Sequence, residues 1–348
     1  MAAVAEANLD TPNVPRIIRW GILGTGTIAS DFTTVLNSLP NTEVVAVGSR
    51  SQEGADRFGD KFGITVRHAS YEALAADNRL DVVYVATPSL RHVGDCELCL
   101  QAGRHVLCEK SMAPGAPEAK AVLDLARTKG LFFLHGVWSR FFPAMAALRD
   151  VIASGKIGTV TSASASFGQN DGAGACSAVL ETGIYCAQFL QWAFEDDPPD
   201  AVQGVVANMH ENGLDQHVNA LIRFPKGRVG DLECSLRNPT PRAAIICGTE
   251  GVITVPFPFW CPTKFTVQRM TGLGSQTWGE EEVFEFSLPD ISGDFNFINS
   301  QGLAYEAEEV NRCIRGGLIE SPQFTSSACL SVMEIITSIR DQFPVVES

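Results

Sequence analysis

The stretch WGILGTGTIASDF, Trp20 to Phe32, decides how the first half of the chain is read. An apolar run with the look of a buried strand ends at Leu23, and Gly24, Gly26 and Ala29 then spell GxGxxA. A helical pattern, IASDFTTVLNSL, follows at once. A glycine motif alone says little, but between a strand and a helix it has a mechanism. Gly24 permits the tight turn, Gly26 lets the backbone approach a pyrophosphate, and Ala29 lets helix and strand pack closely. The helix N-terminus adds free N–H groups and the positive end of its dipole. Thr27 and Ile28, in the first turn, are placed with Gly24 and Gly26 as cofactor contacts. The alternative is an ordinary strand-to-helix turn.

The residues downstream favour the nucleotide reading. TEVVAVGSR leads into SQEGADRFGDKFG, DVVYVATP into RHVGDCELCLQAG, and HVLCEK into PEAKAVLDLARTKG before LFFLHGVW. Near-continuous apolar strands alternating with helices predict a parallel sheet covered on both faces, with right-handed crossovers. Residues 16–140 are therefore read as a doubly wound Rossmann domain, and residues 1–15, MAAVAEANLDTPNVP, as a loose tail.

After the amphipathic segment FPAMAALRDVIASG the texture changes. TVTSASASFG, AVQGVVANMH, QHVNALIRF, RVGDLECSL, RAAIICG, GVITV, KFTVQRM and EVFEFS look like strands, with turns at PKG and GTEG. Their alternation of polar and apolar residues fits antiparallel strands with one face buried. Two helices, GLAYEAEEVNRCIRGG and SSACLSVMEIITSIRDQF, close the chain. The fold class is thus α/β: a Rossmann domain, then over residues 141–348 an α+β domain with a large, open, mostly antiparallel sheet. The last helix is expected to pack back on the first domain.

Charge excludes some partners. The formal net charge is −14 over 348 residues, with no basic patch for phosphate neutralisation or for anionic membranes. The N-terminus lacks the basic and apolar regions of a signal peptide, and no run is long and apolar enough to span a bilayer. The ten cysteines sit mostly in apolar segments. The one CxxC, Cys96 and Cys99, falls in a helical pattern without a second pair to complete a zinc site. The expectation is a cytoplasmic protein with reduced thiols, no metal, and a small molecule as substrate, with no nucleic acid or membrane as partner.

The second strand bears on the cofactor. An acidic residue at its end would hold the ribose 2′-hydroxyl of NAD. Here it ends in Ser49, Arg50 and Ser51, and a guanidinium accepts a 2′-phosphate where a carboxylate repels it. NADP is the expected cofactor, with Ser49 and Arg50 at its 2′-phosphate and Arg57 as an added charge. The alternative is a solvent-facing arginine.

Residues just past the parallel strands are the first suspects for chemistry, because ligands bind at those ends. They are Thr87 and Pro88, Glu109 and Lys110, and the run Trp138 to Arg140. His92 reads equally as a cofactor contact or as a residue of a helix start. In AVLETGIYCAQFLQW, Glu181 and Tyr185 stand four apart and share a helical face.

With these residues in hand, the chain from about Arg19 to Phe343 resembles the glucose–fructose oxidoreductase / inositol dehydrogenase family, and most closely its dimeric dihydrodiol dehydrogenase and NADP-dependent D-xylose dehydrogenase branches. The similar stretches are RWGILGTGTIASDF, SYEALAAD, YVATP, VLCEK, VWSRFFPA, ETGIYCAQF, FWCPT and GLAYEAEEV. The resemblance maps the family's EKP lysine to Lys110 and its acidic/tyrosine pair to Glu181 and Tyr185. It implies that His92, Trp138 and Phe167 line the cofactor or substrate pocket; from their places past the strands, Arg140 is expected as a further substrate contact and Glu109 and Lys110 as cofactor contacts. It also implies a homodimer through the open sheet, and sugars or cyclic diols as substrates. Ser111 stands where the family has proline, Glu181 where it has aspartate, and FGQNDGAGACSAVLE looks shorter than its counterpart.

The mechanism this implies is hydride transfer between NADP and a hydroxyl-bearing carbon. Tyr185 is the general base, its phenol made more acidic by the Lys110 ammonium, and Glu181 holds the lysine or the substrate. The alternatives are an NADPH-dependent carbonyl reductase and an NADP-binding sensor. At Ser111 a trans peptide is expected, since cis before a non-proline costs about 3 kcal/mol.

Overall fold

The computed structural model describes residues 16–271 and 277–344. The tail reading of residues 1–15 lies outside them.

The first sheet contains β1 (Ile18–Leu23), β2 (Thr42–Gly48), β3 (Val66–His68), β4 (Val82–Val85), β5 (His105–Glu109) and β6 (Phe133–Gly136). Helices α1 (Thr27–Leu36), α2 (Gln52–Phe62), α3 (Tyr71–Ala75), α4 (His92–Gln101) and α5 (Ala116–Lys129) connect them. All pairings are parallel, in the order β3-β2-β1-β4-β5-β6. The order reverses between β1 and β4, and that switch point opens a crevice at the strands' carboxyl ends. Helices cover both faces, so β4 is buried along its length, which is why VVYV carries no polar alternation. The short edge strand β3 and helix α3 have no counterpart in the sequence reading, because a three-residue VRH strand carries no usable period.

The second sheet contains β7 (Val160–Gly168), β8 (Ala201–Met209), β9 (Asp215–Phe224), β10 (Arg228–Ser235), β11 (Ala244–Gly248), β12 (Gly251–Val255), β13 (Lys264–Met270) and β14 (Trp278–Glu285). Its order is β14-β13-β12-β11-β7-β10-β9-β8, antiparallel except where β7 runs parallel to β10. Helices α6 (Pro143–Ala153) and α7 (Ile184–Ala193) precede and follow β7, and every residue of α7 is buried. Along β9 the alternation buries Val218, Ala220, Ile222 and Phe224, while Leu221 stays half exposed. The other face of the sheet is open: Val206, Val229, Ile245 and Val283 are also exposed.

The last helices, α8 (Leu303–Arg315) and α9 (Ser326–Arg340), return to the first domain. Asn311 on α8 accepts from the Trp20 indole at 3.0 Å. On α9, the Thr337 hydroxyl accepts from the Ala116 N–H at 2.7 Å and Arg340 donates to the Pro114 carbonyl. These contacts join the two sheets on either side of one cleft.

Candidate active site

The phosphate loop comes from backbone geometry. Gly24 has φ +107°, and a Cβ there would lie 2.5 Å from the Ala86 carbonyl oxygen. A larger residue fits neither the conformation nor the space. At Gly26 a Cβ would meet nothing within 4 Å. The open side of the loop is therefore a cradle that any side chain would begin to fill. Gly26 also starts α1 with no side-chain cap and no acidic residue in the first turn. The N–H groups there suit a pyrophosphate.

A cleft of about 320 Å³ runs from this loop to α2, lined by Thr25, Gly26, Thr27, Ser30, Arg57, Lys61 and Asn296 among others. Lys61 donates to the Ser30 hydroxyl at 2.6 Å and Arg57 pairs with Glu53 at 2.6 Å. Ser49 is buried at the end of β2, Arg50 beside it is exposed, and the Ser51 hydroxyl caps α2 by accepting from the Gly54 N–H at 3.2 Å. Neither Ser49 nor Arg50 lines this cleft or the central cavity.

The central cavity, about 530 Å³, lies at the switch point between the two sheets. Thr27, Ile28, Thr87, Pro88, His92, Glu109, Lys110, Trp138, Phe167, Glu181 and Tyr185 all line it. Lys110 follows β5. Its ammonium is paired with the Glu181 carboxylate, donates to the Glu181 carbonyl at 3.3 Å, and stands 5.8 Å from the centroid of the Tyr185 ring. Glu181 belongs to a π-helical turn, Val179–Gly183, that widens the start of the segment read as one α-helix. Such turns recur at functional sites. The Tyr185 hydroxyl accepts from the Trp138 indole at 3.2 Å. Phe167, at the end of β7, lies against Tyr185 and stacks on Trp260 at 4.0 Å between centroids.

Electrostatics correct one expectation. Burial pushes the Tyr185 pKa well above that of free tyrosine, and the Glu109 and Glu181 carboxylates push the same way. The predicted effect of Lys110, a more acidic phenol, is outweighed by these contributions, and its ammonium is paired with Glu181. Tyr185 therefore rests as a neutral phenol. Glu109 accepts from the Tyr84 hydroxyl at 2.5 Å and from the Lys110 N–H at 3.2 Å, and burial raises its pKa. His92 is buried between the Thr87 and Ser111 carbonyls, at 2.7 and 2.8 Å, and burial lowers its pKa against those two contacts. It opens α4 and also lines the cavity.

Two further expectations are corrected. Arg140 does not reach the cavity: its side chain is 0% exposed. It donates to Gln188 at 3.0 Å and to Gln191, pairs with Asp196 at 2.6 Å, and lies over the Phe324 ring. The single 3₁₀ turn Trp138–Phe141 explains this, since it sends Trp138 toward the cavity and Arg140 into the second domain. The Lys110–Ser111 bond is cis, not trans. Ser111 is held by tertiary partners that local sequence does not show: its hydroxyl donates to the Leu180 carbonyl at 3.0 Å and its own carbonyl faces His92.

The sequence reading did not select Gln169, Asp171, Trp260, Phe297, Leu303 or Lys61. Trp260 and Leu303 had a signal, since FWCPT and GLAYEAEEV belong to the family resemblance, but the others come from segments without a chemical motif.

Comparison with known proteins agrees with this architecture. Residues 18–136 match the family model described as "Oxidoreductase family, NAD-binding Rossmann fold", and residues 145–254 match the "GFO/IDH/MocA C-terminal domain". The chain is 39% identical to the trans-1,2-dihydrobenzene-1,2-diol dehydrogenase of Mus musculus, covering 93% of this chain and 96% of that one. It is 38% identical to the Homo sapiens enzyme of the same name over equal shares. The chain belongs to the GFO/IDH/MocA oxidoreductase family. It is thus an oxidoreductase with an NAD(P)-binding Rossmann domain. Among solved structures, a 3-ketoreductase from Actinomadura kijaniata in complex with NADP superposes with TM-score 0.79 at 24% identity, covering 93% of this chain and 97% of that one. A levoglucosan dehydrogenase in complex with NADH does so with TM-score 0.79 at 19% identity, over 93% and 96%.

Proposed function

We propose that this member of the GFO/IDH/MocA family is an NADP-dependent dehydrogenase acting on a hydroxyl-bearing carbon of a cyclic trans-diol or a D-xylose-like sugar. The observation that carries this reading is the meeting of Lys110, Glu181 and Tyr185 in one cavity whose far wall, Thr27 and Ile28, is the start of the phosphate-binding helix. The close likeness to dihydrodiol dehydrogenases supports the diol. Gly24, Gly26 and Thr27 would hold the pyrophosphate, and Thr87, Pro88, His92 and Glu109 would border the nicotinamide end. A nicotinamide bound there supplies the hydride chemistry.

The chain's own groups handle the proton. In the oxidative direction the phenolate form of Tyr185, reached once its own proton has left to solvent, takes the proton of the substrate hydroxyl while Lys110 donates a hydrogen bond to the same oxygen. Glu181, open to solvent on one side, holds Lys110 in place. Phe167, Trp138 and Trp260 present aromatic faces that pack on a ring and exclude water. In the reductive direction Tyr185 returns the proton. A neutral phenol at rest is the form that donates, and this favours a second reading, reduction of a carbonyl.

The preference for NADP rests on the absence of a carboxylate at the end of β2, where Arg50 is exposed, and on the cations Arg57 and Lys61 in the cleft beside the loop. Hydrophobic residues on the outer face of the second sheet, Val206, Leu221, Val229 and Ile245, support a homodimer through that face.

The test is spectrophotometric. NADP reduction and NADPH oxidation are followed against aldoses, cyclic diols and dicarbonyls, alongside NADPH and NADH binding. Turnover of a diol or aldose with NADP is the expected result. Tight NADPH binding without turnover of any compound would replace the enzyme by the sensor.

A further inference from the structure

One buried carboxylate outside the catalytic group has no cation beside it and an unusual set of donors. Asp31, in the second turn of the phosphate-binding helix, is 0% exposed. It accepts from the Asn296 N–H at 3.0 Å, the Asn296 side-chain amide at 2.5 Å, the Phe297 N–H at 3.1 Å and the Ser300 hydroxyl at 2.7 Å. Every one of these donors comes from the irregular segment between β14 and α8, which belongs to the second domain. Hydrogen bonds to a buried charged acceptor are the strong ones, so this is a firm attachment.

The attached segment lies close along α1. A Cβ at Gly293 would meet the Thr34 methyl at 2.5 Å. On its other side, Asn299 donates to the Cys261 carbonyl at 2.9 Å, next to the cavity residue Trp260. Between these anchors the segment sends one residue to each end of the cofactor cleft. Asn296 borders the phosphate cleft with Gly26 and Thr27, and Phe297 borders the central cavity with Thr27 and Ile28. Both side chains are exposed, and Phe297 shows 49% of its surface to solvent. An aromatic ring kept out of the core and at the cavity edge has a ligand-sized gap to cover.

We propose that residues 294–299 form a strap across the dinucleotide cleft, in which Asn296 and Phe297 touch the bound nicotinamide dinucleotide and Asp31 is the positioning residue that latches the strap to α1. The amide of Asn296 suits phosphate or ribose oxygens, and the Phe297 ring suits the apolar edge of the cofactor. The strap joins the second domain to the cofactor helix without passing through the catalytic residues. It therefore governs how long the cofactor stays, not how fast the substrate reacts. The inference rests on the dinucleotide site and is independent of the substrate.

Stopped-flow displacement of NADPH, read by nucleotide fluorescence, tests it in the full chain. Asp31→Asn is expected to speed NADPH release about tenfold, and Asn296→Ala and Phe297→Ala roughly three- to tenfold. The Phe297 side chain is exposed, so the melting temperature of Phe297→Ala without nucleotide should stay within about 2 °C of the parent, whereas Asn296→Ala also removes a donor to Asp31 and should lower it. In the parent, NADPH should slow hydrogen exchange at residues 294–299. Release at the parent rate from all three variants overturns the strap while leaving the dinucleotide site standing. A parent chain that binds neither NADPH nor NADH overturns both.

Discussion

At the phosphate end of the cleft the loop itself is one run of the chain, Gly24 through Ser30, to which Arg57, Lys61 and Asn296 add side chains. At the chemical end Lys110, Trp138, Phe167, Glu181 and Tyr185 arrive from β5, the turn after β6, β7, a π turn and α7. The first end is open and depends on what is missing, a side chain at Gly26. The second is buried and depends on which charges meet. A local loop can be built before any domain packing exists, whereas the catalytic group exists only once the two sheets face each other. The same packing makes Tyr185 less acidic than its residue type suggests, because burial disfavours the phenolate and the Glu109 and Glu181 carboxylates push the same way.

The sharpest way to break this contrast is Tyr185→Phe. Turnover should fall by about 10³-fold, as loss of a general acid–base group does, with NADPH affinity unchanged. Comparable losses in both would show that the two ends are one unit. Arg140→Ala should cost about 1–3 kcal/mol in chemical denaturation, because Gln188 and Gln191 lose their buried donor while Asp196 keeps Arg149. A raised KM with unchanged stability would return Arg140 to the substrate site.

Gly26→Val separates space from fold. A Cβ at this position meets nothing within 4 Å, so the melting temperature should hold while NADPH and NADH bind about tenfold more weakly, or ~1.4 kcal/mol. Unchanged titration curves for both nucleotides would move the pyrophosphate away from this loop.

The smallest effect concerns Glu306 on α8, buried with neither carboxylate oxygen hydrogen-bonded. Burial raises its pKa well above the usual value, with Glu109 adding to the shift. The folded chain then binds more protons than the unfolded chain from the unfolded value, about 4.3, upward, so stability falls as pH rises through that window. Glu306→Gln should flatten that fall, gaining about 2 °C relative to the parent between about pH 5 and about pH 8. Parallel curves for the two proteins would place the sensitivity elsewhere.

Much of this was legible in the residues themselves. The strand–glycine–helix order of Trp20 to Phe32, the apolar runs VVYV and HVLCE, and the alternation of QHVNALIRF are local signals with local causes: a close backbone approach, burial on both faces, burial on one. Lys110, Glu181 and Tyr185 could be singled out because strand ends and helical spacing limit where a side chain stands. Tertiary structure alone decided the rest. Trp138 and Arg140 are two residues apart in one short turn, yet one borders the cavity and the other is sealed among Gln188, Gln191 and Asp196. Asp31 looks in sequence like an ordinary helix residue, and only the return of the chain some 265 positions later gives it partners. Local patterns record what each segment must bury. Which charges end up beside one another depends on contacts between segments that are distant in the chain, and no local pattern carries that information.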